Sequence, residues 1–124
     1  MNVVDSSGWL EYLADGPTAD FFAPAIENAD KLIVPTISVY EVFKRIFQQR
    51  GESAALQAIA LMYQGKVFEL GAALSLQAAK LSLELKLPMA DSIMLASARA
   101  YKAVFWTQNA HFKGIEGVHY TEKI

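Results

Sequence analysis

The chain has 124 residues, 53% of them hydrophobic and 19% charged, a balance that suits one domain spanning residues 1–124 and excludes a highly charged disordered tail. Its formal net charge of −2 argues against a protein that coats nucleic acid with a broad basic surface, but not against a local grip on phosphates. No apolar run is long enough for a membrane span, the N-terminus lacks a basic start, and cysteine is absent, so a soluble cytoplasmic protein without disulfides or thiolate zinc is expected.

"MNVVD" reads as a β-branched strand closed by Asp5. "SSGWLEYLA" follows as a short helix that Ser6 or Ser7 can cap. "PTADFFAPAIENAD" is a second helix, which Pro24 is expected to break or kink. "KLIVP" is the next strand. "TISVYEVFKRIFQQRG" is an amphipathic helix with Ile37, Tyr40, Phe43 and Phe47 at helical spacing and Gly51 as its stop. "ESAALQAIALMYQG" is another helix, and "KVFEL" a strand. From Gly71 to Lys86 the stripe Leu74, Ala78, Leu81, Leu85 favours a helix over the local alternation of "LSLELKL". A helix starting at Pro88 runs to about Tyr101; then come the strand "AVFWT", a loop or single turn "QNAHFKG", and a last edge strand in "GVHYTEK". Strands separated by helices imply an α/β domain, a central, mainly parallel sheet covered on both faces.

"LPMADSIMLAS" raises a problem of placement. Residues three, four and seven beyond Asp91 are Met94, Leu95 and Ala98, so the acid shares a helix face with apolar side chains. The helix dipole offers a first-turn acid roughly 0.3–1 kcal/mol, whereas a buried, unpaired carboxylate costs several. Asp91 therefore needs a partner. In open parallel sheets, sites form at the carboxyl ends of strands. Asp5 ends the first strand, Glu41 follows the second, and Thr107, Gln108 and Asn109 close the fourth. Each has a local alternative: Asp5 capping the next helix, Glu41 pairing with Lys44 or Arg45, and Asn109 capping the turn at "NAHF". Together they suggest convergence on one rim. Two carboxylates about 5 Å apart repel by roughly 3 kcal/mol at an effective dielectric near 20, which a divalent cation would relieve. Oxygen ligands suit Mg²⁺ or Mn²⁺, and His111 and His119 offer no zinc pair at helical spacing.

"VVDSSGWLEYL", "PTISVYEVFKR", "LPMADSIMLASAR" and "FWTQNAHFKGIEGV" together resemble the acidic segments of PIN-domain proteins, and most of all the VapC-type toxins of bacterial type II toxin–antitoxin pairs. The resemblance spans nearly the whole chain in register. It implies a three-layer α/β/α sandwich, a Mg²⁺- or Mn²⁺-dependent endoribonuclease, a cognate antitoxin that blocks the site, and a homodimer. By the same resemblance Asp5, Glu41 and Asp91 match the three principal acids and metal ligands. Thr107 matches the hydroxyl residue before the fourth acidic position, and Ser6 the one after the first acid. Where the family most often has "T-x-D-x-D-F", this chain has "TQNAHF", with uncharged Asn109 as the candidate catalytic residue and His111 two further on. That departure leaves an alternative: a PIN-fold module that holds RNA or protein and cuts little. A receiver domain fails on its acids, since "DSS" supplies only one and "FELG" no aspartate. No glycine-rich phosphate loop is present.

Overall fold

The computed structural model describes residues 1–124. Five parallel strands form the sheet, in the order β3-β2-β1-β4-β5. The first, β1 (Asn2–Val4), lies between β2 (Leu32–Pro35) and β4 (Val104–Thr107); β3 (Lys66–Phe68) and β5 (Val118–Tyr120) are the edges. Six helices connect them: α1 (Ser6–Leu13), α2 (Ala19–Ile26), α3 (Thr36–Arg50), α4 (Glu52–Met62), α5 (Ala72–Leu85) and α6 (Met89–Ala100).

Alternation along the strands divides the core into two layers. Val4, Leu32 and Val34 face Trp9 of α1, Phe22 of α2 and Met62 of α4. Val3, Ile33 and Phe105 face Met94, Leu95 and Ala98 of α6. Helices thus cover both faces of the sheet, as three layers require. The strand order reverses at β1: one set of crossovers runs outward through β2 to β3, the other through β4 to β5. The crevice beyond the carboxyl ends of β1 and β4 is therefore the topological switch point, where such sheets bind ligands.

The helices start and stop mostly where their local chemistry dictates. Gly51, at φ +87°, ends α3 and opens α4, a backbone state that other residues adopt only with strain. Lys86 takes the left-handed position after α5. Three expectations from the sequence need correction. Pro24 lies inside α2 without interrupting it; the helix closes two residues later, so only one hydrogen bond near its end is lost. Ser6 and Ser7 sit within α1, and Asp5 holds the N-cap position with no side-chain capping bond. The buried stripe of α3 is also rotated. Tyr40 and Phe47 are 59% and 44% exposed, while Ser38 and Val42 are fully buried. The cause is that α3 serves both core layers, Ile37 entering one and Val42 with Ile46 the other, which leaves the Tyr40–Phe47 face turned outward.

Candidate metal and catalytic site

Asp5 leaves the end of β1 at the switch point and is only 3% exposed. Its carboxylate does not cap α1. Thr107, the last residue of neighbouring β4, donates its hydroxyl to Asp5 Oδ2 at 2.7 Å, and the Ser7 hydroxyl approaches the same oxygen at 3.3 Å. Parallel pairing of β1 with β4 brings about this meeting, since it sets Val4 opposite Trp106 and carries both chains out of the sheet together. The Thr107 hydroxyl in turn accepts the backbone N–H of Asn109 at 2.9 Å. It therefore links the first acid to the turn after β4.

Glu41 projects from the second turn of α3. The pairing with Lys44 or Arg45 does not form; instead the buried Ser6 hydroxyl donates to Glu41 Oε1 at 2.8 Å. Ser6 Oγ also lies 3.7 Å from Met94 Sδ on α6. One hydroxyl thus joins α1, α3 and α6 behind the rim.

Asp91 resolves the placement problem posed by its helix. Met94, Leu95 and Ala98 enter the core at 1% exposure each, while the Asp91 carboxylate, in the first turn of α6, turns outward to the rim. There Oδ2 lies 3.1 Å from His111 Nδ1, and the Asn109 side-chain amide donates to the same oxygen at 3.4 Å. Asn109 does cap its turn, because its Oδ1 accepts the His111 backbone N–H at 3.0 Å. The turn is anchored from beneath by fully buried Phe112, whose ring meets Phe105 of β4 edge-on with centroids 4.7 Å apart.

The electrostatics follow from this gathering. Burial, with the charges of Asp91 and then Glu41, drives the Asp5 pKa up from 3.8 to about 6, against the opposing hydrogen bonds from Thr107 and the Ser6 backbone. Asp91 and Glu41 are thus close enough to be felt at Asp5. The side chains are nonetheless not drawn into a tight ligand cluster: no three Asp, Glu or His side chains lie together around one point. Asp91 is engaged by His111 and Asn109, and Glu41 by Ser6. A cation would compete for these oxygens with hydrogen bonds that can be released. Carboxylate oxygens are the donor type that hard divalent cations take and give no reason for a soft metal, but as they stand the side chains do not form a ligand set.

Sequence reasoning located Asp5, Glu41, Asp91, Thr107 and Asn109, and the fold brings all five to one rim. It missed Ser7 on Asp5, the Ser6–Glu41 bond, and the buried bond from Thr18 Oγ1 to Gln108 Oε1 at 2.7 Å that pins the strand end beside Asn109. Only the position of Ser6 and Ser7 directly after Asp5 could have signalled the first two.

Residues 3–118 match the family model described as PIN domain. Among solved structures, the chain is similar to a toxin–antitoxin complex from Klebsiella pneumoniae, with a TM-score of 0.81 at 20% identity and 96% of each chain covered. It is similar also to VapBC2 from Rickettsia felis bound to a promoter DNA fragment, at 0.75 and 12% over 98% of this chain and 97% of that one. A third is the Mycobacterium tuberculosis toxin VapC20, described as cleaving the sarcin–ricin loop, at 0.67 and 18% over 84% of this chain and 85% of the other. No curated protein sequence matches. The structural likenesses speak for the fold, and the family model runs from the middle of β1 to the start of β5 across every acidic residue of the rim. On that match, the chain belongs to the PIN-domain family.

Proposed function

We propose that this protein is a Mg²⁺- or Mn²⁺-dependent endoribonuclease, acting as the toxin of a type II toxin–antitoxin pair. One observation carries the chemistry: a carboxylate at the sheet's switch point, 3% exposed and with its pKa raised to about 6 by burial and by Asp91 and Glu41. Such a group is costly as an isolated anion and well used as one wall of a cation site. A divalent cation held there supplies positive charge for phosphate oxygens and makes water acidic enough to act as a nucleophile near neutral pH.

In this reading Asp5 and Asp91 hold the ion, with Glu41 as a direct or water-mediated third ligand. Thr107 fixes the Asp5 carboxylate through its hydroxyl, and Ser6 does the same for Glu41. Asn109, with an amide and no charge, orients water or phosphate at the Asp91 side. The RNA substrate, the cognate antitoxin, the homodimer, the cytoplasmic location and the action of residues 1–124 as one unit belong to the same proposal. The toxin–antitoxin descriptions of the similar structures support it, and no helix is long and apolar enough to cross a membrane.

The test is cleavage of a mixed RNA with Mg²⁺ or Mn²⁺, with mapping of the product ends. The expected products carry 5′-phosphate and 3′-hydroxyl termini. Asp5→Ala and Asp91→Ala should fall to background, and Asn109→Ala, which removes only a dipole, should cost less. Ends bearing 2′,3′-cyclic phosphate, or cutting that persists in excess EDTA, would show the chemistry to be wrong. Binding of RNA without any cutting would instead establish the non-catalytic alternative.

A further inference from the structure

Three acids lie near one another at the rim, yet no three ligand side chains surround one point. Asp91 accounts for much of this. Its charge is felt at Asp5 more strongly than that of Glu41, but its carboxylate is aimed at the turn after β4. There Oδ2 takes both His111 Nδ1, at 3.1 Å, and the Asn109 amide, at 3.4 Å. A carboxylate only accepts, so Nδ1 carries the hydrogen and the imidazole acts as a donor. The turn keeps that donor in place. Asn109 Oδ1 accepts the His111 backbone N–H at 3.0 Å. The Asn109 and Ala110 carbonyls accept the N–H groups of Phe112 and Lys113, both at 3.1 Å. Thr107 fastens one end of the turn and buried Phe112 the other. Only the His111 ring is loose, its side chain 59% exposed against 13% for Asp91. The backbone is pinned, and the ring has open space to swing into.

Resting on the reading of Asp5 and Asp91 as metal ligands, we infer that His111 is a latch on Asp91, and that a divalent cation takes Asp91 only when the ring swings out. Geometry is the first argument. For Asp91 to join Asp5 and Glu41 around one ion, its carboxylate must turn toward them, and turning strips Oδ2 of both donors. Charge is the second. The imidazole and amide N–H groups already offset part of the negative charge that a cation would offset, so the gain from binding the ion is smaller. The latch asks for no movement of the loop, because rotation of one exposed ring opens it. A role for His111 as a metal ligand is the competing reading. A ligand nitrogen must present a lone pair, whereas Nδ1 is spent, with its hydrogen, on the carboxylate. Neither histidine belongs to a group of three metal-binding side chains. A latched site binds its ion with the intrinsic affinity scaled by the fraction of time the latch is open. The ion at this rim is therefore exchangeable, taken up in proportion to its concentration.

The latch can be read on the ring itself, apart from any cutting. Nitrogen-15 imidazole spectra at pH 8 in EDTA should show His111 as the Nδ1–H tautomer, which the Asp91 contact selects. His119, stacked on Phe21, is the internal reference. Saturating Mg²⁺, judged from the melting midpoint, should release His111 from that tautomer and leave His119 unchanged. Mn²⁺ binding at the same pH is then measured by electron paramagnetic resonance of the free ion. His111→Ala should bind about tenfold more tightly than wild type, the factor withheld by a latch closed about nine-tenths of the time. Asn109→Ala, which loosens the turn and removes the weaker donor, should gain less, and His119→Ala nothing. The His111 ring lies on the surface, and thermal melting in EDTA confirms that each variant folds. Weaker Mn²⁺ binding in His111→Ala would overturn the inference and make the imidazole a ligand. Equal binding would overturn it as well, and so would an Nδ1–H tautomer that persists at saturating Mg²⁺. No Mn²⁺ binding in any of the proteins would overturn both the latch and the metal reading beneath it. The predicted tautomer and affinity changes with no Mg²⁺-dependent cutting of RNA would keep the latch and reject the hydrolase.

Discussion

At the scale of single residues, Asp5 dictates a pH dependence. Its pKa is raised to about 6 in the folded chain against 3.8 in the reference state, so the folded protein keeps a proton that the unfolded chain releases. Stability without metal is therefore highest below pH 4 with respect to this group, and falls as pH rises through 6 by on the order of 3 kcal/mol. Asp5→Asn, whose amide oxygen can still accept from Thr107, should flatten that fall and melt higher than wild type at pH 7.5 in EDTA. Thermal melts from pH 4 to 8 decide it; identical pH profiles would mean that Asp5 is ionised without strain. Asn109→Asp should behave with opposite signs in two conditions. It replaces the amide that donates to Asp91 with a second negative charge. The variant should melt lower than wild type in EDTA, and respond more strongly to Mg²⁺.

At the scale of elements, α1 is the most constrained part of the design. A methyl group at Gly8 would lie 2.6 Å from the Phe22 ring and 2.9 Å from Val4, so α1 packs closely on α2 and β1 only because position 8 has no side chain. Gly8→Ala should cost about 1–3 kcal/mol by overpacking, read from urea unfolding. It should also weaken the metal response, because Ser6 and Ser7 move with the helix. An unchanged stability would place slack where the packing shows none. Elements of this kind were largely legible in the sequence: β1 and β2 as β-branched runs, α5 from the Leu74–Ala78 stripe, and Asp5 from its place at a strand end. Periodicity could not reveal that α3 packs on two sides, because a single stripe presumes a single partner. Nor could it reveal that Ser6 reaches Glu41 across 35 positions, since that bond depends on how α1 and α3 lie against each other.

At the scale of the whole molecule, an ion that binds the folded rim and scarcely binds the unfolded chain must stabilise the fold. At about a hundred times its dissociation constant the gain is on the order of 2.7 kcal/mol. A rise in the melting midpoint with Mg²⁺ or Mn²⁺ that is blunted in Asp5→Asn and Asp91→Asn checks the proposed ligands; an equal rise in all three would locate the ion elsewhere. The sheet order has a consequence in time. The central strand is the first to be synthesised, but its partner β4 is nearly the last, and Asp5 meets Thr107 across 102 positions of chain. At about 5–20 residues per second, the ribosome takes roughly 5–20 s to deliver the second half of that contact. Throughout that interval the proposed nuclease has its first acid and no finished site. Nascent chains arrested before β4 emerges should show no cutting, and those released with β5 complete should acquire it.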